Sequence, residues 1–199
     1  MSRVATAVGR AGRPRSEAAD DAITAATLAV LCETGYGGLT VAGVIERAGV
    51  SSATLYRRWP RKQALVAAAV ATLAPAPFTA DTGSLESDLR AFVRHVAHTI
   101  SARREDVAEA LGIEAKRNPE LADVVRATFL EPRAQELRAV LVRARARGEL
   151  ASVPPADLAL SLVAGAIHHR AFVLRAPLTA RFVETASTFA LAGLHAAAG

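Results

Sequence analysis

The chain has 199 residues but only one cysteine, one methionine and one tryptophan, and aromatic residues make up 5%. A lone Cys32 closes no internal disulfide, which fits a reducing compartment. With so few rings, the 51% of hydrophobic residues is mostly small and aliphatic, alanine above all. Alanine is the best helix former and lets helix axes approach closely. No apolar run of about 18 residues escapes a charged or strongly polar interruption, so no membrane span is expected. The opening MSRVATAVGRAGRPRSEAADD lacks the apolar stretch of an export signal, and a cytoplasmic protein is expected. Also missing are a glycine-rich phosphate loop, a nucleophile elbow and paired Cys or His clusters at metal spacing. The chain therefore reads as a non-enzyme that needs no cofactor. His95 and His98 stand one turn apart, but no third metal ligand lies near them in sequence.

Acidic residues are absent from Arg47 to Ala80. Residues 1–66 carry nine Lys/Arg against five Asp/Glu, a net of +4, while the remaining residues carry fifteen against fourteen. Nearly all of the net +5 therefore lies in the first third. A local basic surface concentrates a polyanion and speeds encounter with it. Arginine outnumbers lysine twenty-two to two, which fits the codon bias of a GC-rich genome and carries no functional meaning.

Hydrophobic spacing is helical throughout, giving an all-α chain of about nine helices. Residues 1–15 read as a flexible basic arm in which Gly9, Gly12 and Pro14 alternate with Arg10, Arg13 and Arg15. Residues 16–74 read as a first domain and 84–197 as a second, with Ala74-Pro75-Ala76-Pro77 and the run to Gly83 between them. Ser16 is expected to cap the first helix, which stops near Gly35 at a loop of residues 35–38. Thr40 and Ser51 are expected to cap two short helices separated by Gly49, and Pro60 ends the second. A fourth helix spans about 61–73. Five more follow over roughly 85–101, 106–116, 120–147, 155–174 and 179–197, and Pro132 is expected to kink the third of these.

The segment with most functional content is Thr40-Val-Ala-Gly-Val-Ile-Glu-Arg-Ala-Gly-Val-Ser-Ser-Ala-Thr-Leu-Tyr-Arg-Arg-Trp59. Val44, Val50, Leu55 and Trp59 are placed to pack inward, leaving Ser52, Ala53, Thr54, Arg57 and Arg58 outward. A helix with an apolar back and a small, polar, basic front can enter the DNA major groove. Thr54, Arg57 and Arg58 are assigned to base edges, where arginine offers a bidentate fork to guanine. Thr40, Ser51 and Tyr56 are assigned to phosphate through their hydroxyls, and Lys62 adds a charge at a helix start. Arg13 and Arg15 of the arm complete the DNA-contact set.

This segment resembles the tetracycline-repressor family of regulators. The matching residues are Thr40, Val41, Val44, Ala48-Gly49-Val50-Ser51, Thr54-Leu55-Tyr56, Trp59, Lys62 and Leu65, together with Gly12-Arg-Pro-Arg15 and Gly35-Tyr36. A weaker likeness continues through Arg117-Asn-Pro-Glu-Leu121, Pro132-Arg133 and Ala146-Arg-Gly-Glu-Leu150. Ile45 stands where a small residue is usual, and Ala53 replaces a frequent glycine. The resemblance implies a second domain that binds a small-molecule effector and dimerises through the last two helices, on which Leu158, Leu162, Ala164-Gly165, Ala166, Phe182, Phe189 and Leu194 fit close packing. Two-fold symmetry then implies an inverted-repeat operator in double-stranded DNA. It implies a repressor whose effector moves the helix ending near Leu73. Leu111, Phe129, His168, His169 and Phe172 are the residues able to line the effector pocket. Cys32 reads as a small buried hydrophobe within the first helix.

Overall fold

Side-chain caps start several helices, at Thr40, Ser51 and Asn118, and Gly49 ends the one that Thr40 starts. The computed structural model describes residues 14–102 and 105–198. The basic arm with Arg13 and the side chains of Arg15 and Ser16 lie outside the described residues. Helix α1 (Pro14–Gly38) begins two residues before Ser16, because proline's fixed φ and missing amide suit a first helical turn. It kinks at Gly35, whose φ of 70° is readily adopted only by glycine. Residues 36–38 then make one more helical turn rather than the expected loop, closed by the Leu39 amide on the Gly35 carbonyl at 3.1 Å.

Helices α2 (Val41–Ala48), α3 (Ser52–Arg58) and α4 (Lys62–Ala71) follow. They belong with α1 to a compact unit, Met1–Thr72. Helix α1 packs on α2 and α4, and Ile23, Val44, Leu55, Leu65 and Val66 are fully buried there. Each such side chain contributes roughly 1.5–3 kcal/mol when removed from water.

The second unit, Leu73–Gly199, contains α5 (Leu85–Ala102), α6 (Glu105–Ala115), α7 (Pro119–Val125), α8 (Glu131–Ala146), α9 (Ala156–His168) and α10 (Ala180–Ala198). Its core combines Leu89 and Phe92 of α5, Leu137 and Leu141 of α8, Ile167 of α9 and Leu194 of α10. A π-helical turn, Arg126–Leu130, joins α7 to α8, and a second, His169–Val173, extends α9. Counted as continuous rods, the described residues form nine helices and no strand. Pro132 explains the first π turn. It cannot donate to an i−4 carbonyl and its ring crowds that carbonyl, so the preceding turn widens instead. The Glu131 amide accordingly bonds the Arg126 carbonyl, five residues back.

The proline-rich stretch read as a boundary is held to the second unit. The Phe78 ring meets Phe92 edge-on at 5.3 Å, and its amide donates to Glu136 Oε1 at 3.0 Å. His95 Nε2 lies 3.0 Å from the Ala76 carbonyl, which assigns it the proton. His98 is exposed on α5, and no group of three or more His, Cys, Asp or Glu that could hold a metal ion is found among the described residues.

Asp88 is fully buried near the start of α5. It accepts the Thr82 amide at 2.6 Å and the Thr82 hydroxyl at 2.7 Å, and it faces Arg147 at 3.5 Å and Arg143 at 3.8 Å. Burial alone would push its carboxyl up. The Thr82 bonds and the two guanidinium groups outweigh that and hold it below the usual carboxylate range. A lowered folded value means stability that is present above the unfolded value of about 3.9 and lost as pH falls through the folded one. Asp88→Asn keeps the shape and removes the charge, which is expected to cost about 1–2 kcal/mol at neutral pH. That corresponds to roughly 2–8 °C in Tm for a chain of this size. The gap between wild type and variant is expected to close below about pH 4. A constant gap from pH 7 to pH 3 in thermal melts would contradict the assignment.

Candidate nucleic-acid interface

Two side-chain caps and one left-handed glycine build the helix-turn-helix. Thr40 Oγ1 accepts the Gly43 amide at 3.1 Å and starts α2. Gly49, at φ 64°, ends it with its amide on the Glu46 carbonyl at 3.3 Å. Ser51 Oγ accepts the Thr54 amide at 3.2 Å and starts α3. Ile45, where a small residue is usual, is half-buried, and its carbonyl accepts the Val50 amide at 3.4 Å. Val44 and Leu55 are fully buried under the turn, while Val50 and Trp59 are half-buried.

The front of α3 presents Ser52, Ala53, Tyr56 and Arg57 to solvent. Arg57 has no partner among the described residues, and Tyr56 is 51% exposed. Thr54 is half-buried, and its hydroxyl lies 2.9 Å from that of Ser51. In a cap the hydroxyl oxygen accepts, so the Thr40 hydroxyl still has its hydrogen to donate. In the Ser51–Thr54 pair, one hydrogen is used between them and one remains.

Arg58 departs from the expected arrangement. Its Nε pairs with Asp20 of α1 at 2.5 Å, and its Nη1 bonds the Thr54 carbonyl at 3.3 Å. The carboxylate draws the guanidinium back across α1 instead of leaving it forward toward bases. Lys62 is also engaged: Nζ donates to the Tyr36 carbonyl at 2.5 Å and sits 4.6 Å above the Tyr36 ring. It ties the turn after Gly35 to the start of α4. No side chain caps α4, so its first amides carry no side-chain acceptor.

A cavity of about 480 Å³ opens in the second unit between α5, α8 and α9. Among the five residues expected to line a pocket, Phe129 and His168 do. Leu111 is buried on α6 and does not, and neither does His169. Phe172 lines a separate cavity of about 600 Å³ with Arg175 and Leu178. The π turn accounts for part of the difference, because Arg126, Phe129 and Leu130 reach the wall from it. Thr99 and Arg133 also line the cavity, and no sequence signal set them apart beyond the Pro132-Arg133 likeness.

The N-terminal geometry and its sequence match one known family. Residues 23–69 match the profile described as bacterial regulatory proteins, tetR family, and residues 79–189 match the tetracyclin repressor-like C-terminal domain. The chain belongs to the TetR family. It is a helix-turn-helix transcriptional regulator, and its relatives carry that description. The HTH-type transcriptional regulator YdeS of Bacillus subtilis is 29% identical over 189 residues, covering 93% of this chain and 94% of that one. An HTH-type transcriptional regulator of Mycobacterium tuberculosis is 32% identical over 163 residues, covering 81% and 80%. Among solved structures, the Flavonoid-responsive Regulator FrrA superposes with a TM-score of 0.71 at 26% identity, covering 88% of this chain and 94% of that one. No helix among the described residues is long and apolar enough to cross a membrane.

Proposed function

We propose that two copies of this TetR-family chain pair through α9 and α10, repress from an inverted-repeat operator, and leave it when a small molecule binds the second unit. The observation that carries the reading is the front of α3, where small side chains flank an exposed Arg57 that has no partner among the described residues. Ser52 and Ala53 let the helix backbone approach base edges, and Arg57 supplies the fork that reads guanine. The uncapped start of α4, with the Thr40 and Tyr56 hydroxyls, suits phosphate oxygens and sets the register.

Pairing is supported by apolar side chains that the single chain leaves in water. On α9 these are Leu158 and Leu162, 55% and 42% exposed, and on α10 Phe189, 73% exposed. The packing residues named from sequence divide accordingly, since Leu194 lies in the core and Phe182 lies against it, with the Arg170 guanidinium 4.5 Å from its ring. A two-fold pair would present two α3 helices about 34–36 Å apart, one turn of DNA. Regulation by a small molecule is supported by the cavity and by the name of the FrrA relative, a regulator responsive to flavonoids. Such release is reciprocal: a ligand that weakens DNA binding is itself bound more weakly on DNA.

Footprinting of the purified protein on its own promoter tests this reading. Two protected half-sites related by a dyad are expected, and protection of a single half-site would contradict it. Tyr56→Phe is expected to weaken binding to operator and random DNA equally, by about 0.5–1.5 kcal/mol for one hydrogen bond. Loss confined to one operator position, measured by competition with base-substituted sites, would instead make Tyr56 a base contact.

A further inference from the structure

The cavity in the second unit holds a buried arginine with donors to spare. Arg133 is 9% exposed, and a guanidinium carries five N–H groups. One pairs with Glu136 at 2.5 Å, and another reaches only the Thr99 hydroxyl at 3.5 Å. No further bond engages it among the described residues, and it faces the cavity. Its remaining N–H groups open onto the cavity, so a ligand oxygen at this point would gain a charge-assisted hydrogen bond.

The surrounding charges define what that oxygen belongs to. Arg133 is already neutralised by Glu136, and Arg126 by Asp123 at 2.9 Å and Glu131 at 2.5 Å. Asp157 adds a carboxylate with no cationic partner among the described residues. Among the lining side chains the two guanidinium groups are already paired, and the Glu131 and Asp157 carboxylates face the same space. An acidic ligand would find no unpaired cation among them and would be repelled by both carboxylates. A carbonyl oxygen satisfies Arg133 without that repulsion.

The rim has the opposite preference. His168 Nδ1 lies 2.9 Å from the Ala164 carbonyl and so carries the proton, leaving Nε2 to accept. The Ser161 hydroxyl donates to the Asp157 carbonyl at 2.8 Å. Acceptors thus dominate the exposed edge, and a ligand hydroxyl suits them. Between edge and floor lie Ile100, Phe129 and Leu160, which suit an aromatic ring.

We propose that this cavity takes a flat aromatic molecule without a carboxylate or other group anionic at neutral pH, which presents a carbonyl oxygen to Arg133 and a phenolic hydroxyl to the Asp157–His168 rim. The proposal rests on the ligand-responsive reading above and narrows it to a chemical class. The volume of about 480 Å³ lies within the range usual for small-molecule sites.

A matched set of naphthalenes tests it on the full chain by calorimetry: 6-hydroxy-2-acetonaphthone, 6-hydroxy-2-naphthoate and 2-naphthol. The ketone is expected to bind at least about 10-fold tighter than the naphthoate. Arg133→Lys keeps the Glu136 pair but removes the fork, and it is expected to weaken the ketone about 10-fold while leaving 2-naphthol nearly unchanged. A Cβ at Gly165 meets nothing within 4 Å, so Gly165→Ala adds a methyl to the cavity wall without a clash, and ketone binding is expected to weaken. Naphthoate binding as tight as the ketone, ketone binding unaffected by both variants, or no ketone binding at roughly 1 mM would each overturn the proposal. Operator release keeps the two readings apart. Release by the naphthoate at concentrations no higher than the ketone needs sinks the chemical class alone, and ketone binding without release sinks the ligand-responsive reading alone.

Discussion

Phe189→Glu is expected to yield a folded monomer that no longer holds an operator. The side chain is 73% exposed in the single chain, so replacing it costs the fold little. In a two-fold pair the same residue is buried twice, once from each copy. At roughly 1.5–3 kcal/mol per buried phenylalanine, the pair loses about 3–6 kcal/mol, or some 10²–10⁴-fold in dimer affinity. Two buried carboxylates add to that loss. Sedimentation velocity is expected to show the monomer, circular dichroism unchanged helicity, and operator titration a collapse of tight binding. A variant that stays dimeric would move the interface away from α9 and α10.

The next largest effect is expected from Arg57→Ala, and the contrast with Arg58→Ala gives it meaning. Arg57 is exposed and unpartnered among the described residues, so its removal leaves the fold intact. If it reads guanine, specific binding falls by about 1–3 kcal/mol, with little change on random DNA. Arg58 pairs with Asp20 in a partly exposed bridge, so Arg58→Ala is expected to lower stability by less than about 1 kcal/mol and operator affinity only modestly. Operator and random-DNA titrations of both variants, read beside their melting curves, separate the roles. Equal losses on both DNAs for Arg57→Ala would make it a phosphate contact.

Signals that act over a few residues were legible in the sequence. Thr40, Gly49 and Ser51 announce caps and a left-handed turn because each acts on amides or torsions within three residues of itself. The buried positions Val44 and Leu55 follow from helical spacing in the same way. Arg58 was not legible as an inward residue. Its partner Asp20 lies 38 positions earlier, and only the packing of α1 brings the two together. The cavity wall was only partly legible for a related reason. Which side of a long helix meets a cavity depends on its rotation, and helical spacing gives the period without the phase. Phe129 and His168 fell on the right side, whereas Leu111 belongs to α6, none of whose described side chains lines that wall.

The π turn at Arg126–Leu130 has a consequence for comparing this chain with its relatives. A turn with five-residue hydrogen bonding accommodates one residue more than the α-helix that would span the same interval. A relative whose helix runs regularly through this interval therefore lacks one residue here while matching on both sides. Sequence alignments usually discourage gaps inside helices and would push that gap into a neighbouring loop. Every position between the loop and the turn would then be paired with the wrong partner, Phe129 and Leu130 among them. Structural superposition places the gap at the turn, and residue correspondences for this cavity are sound only when they are drawn that way.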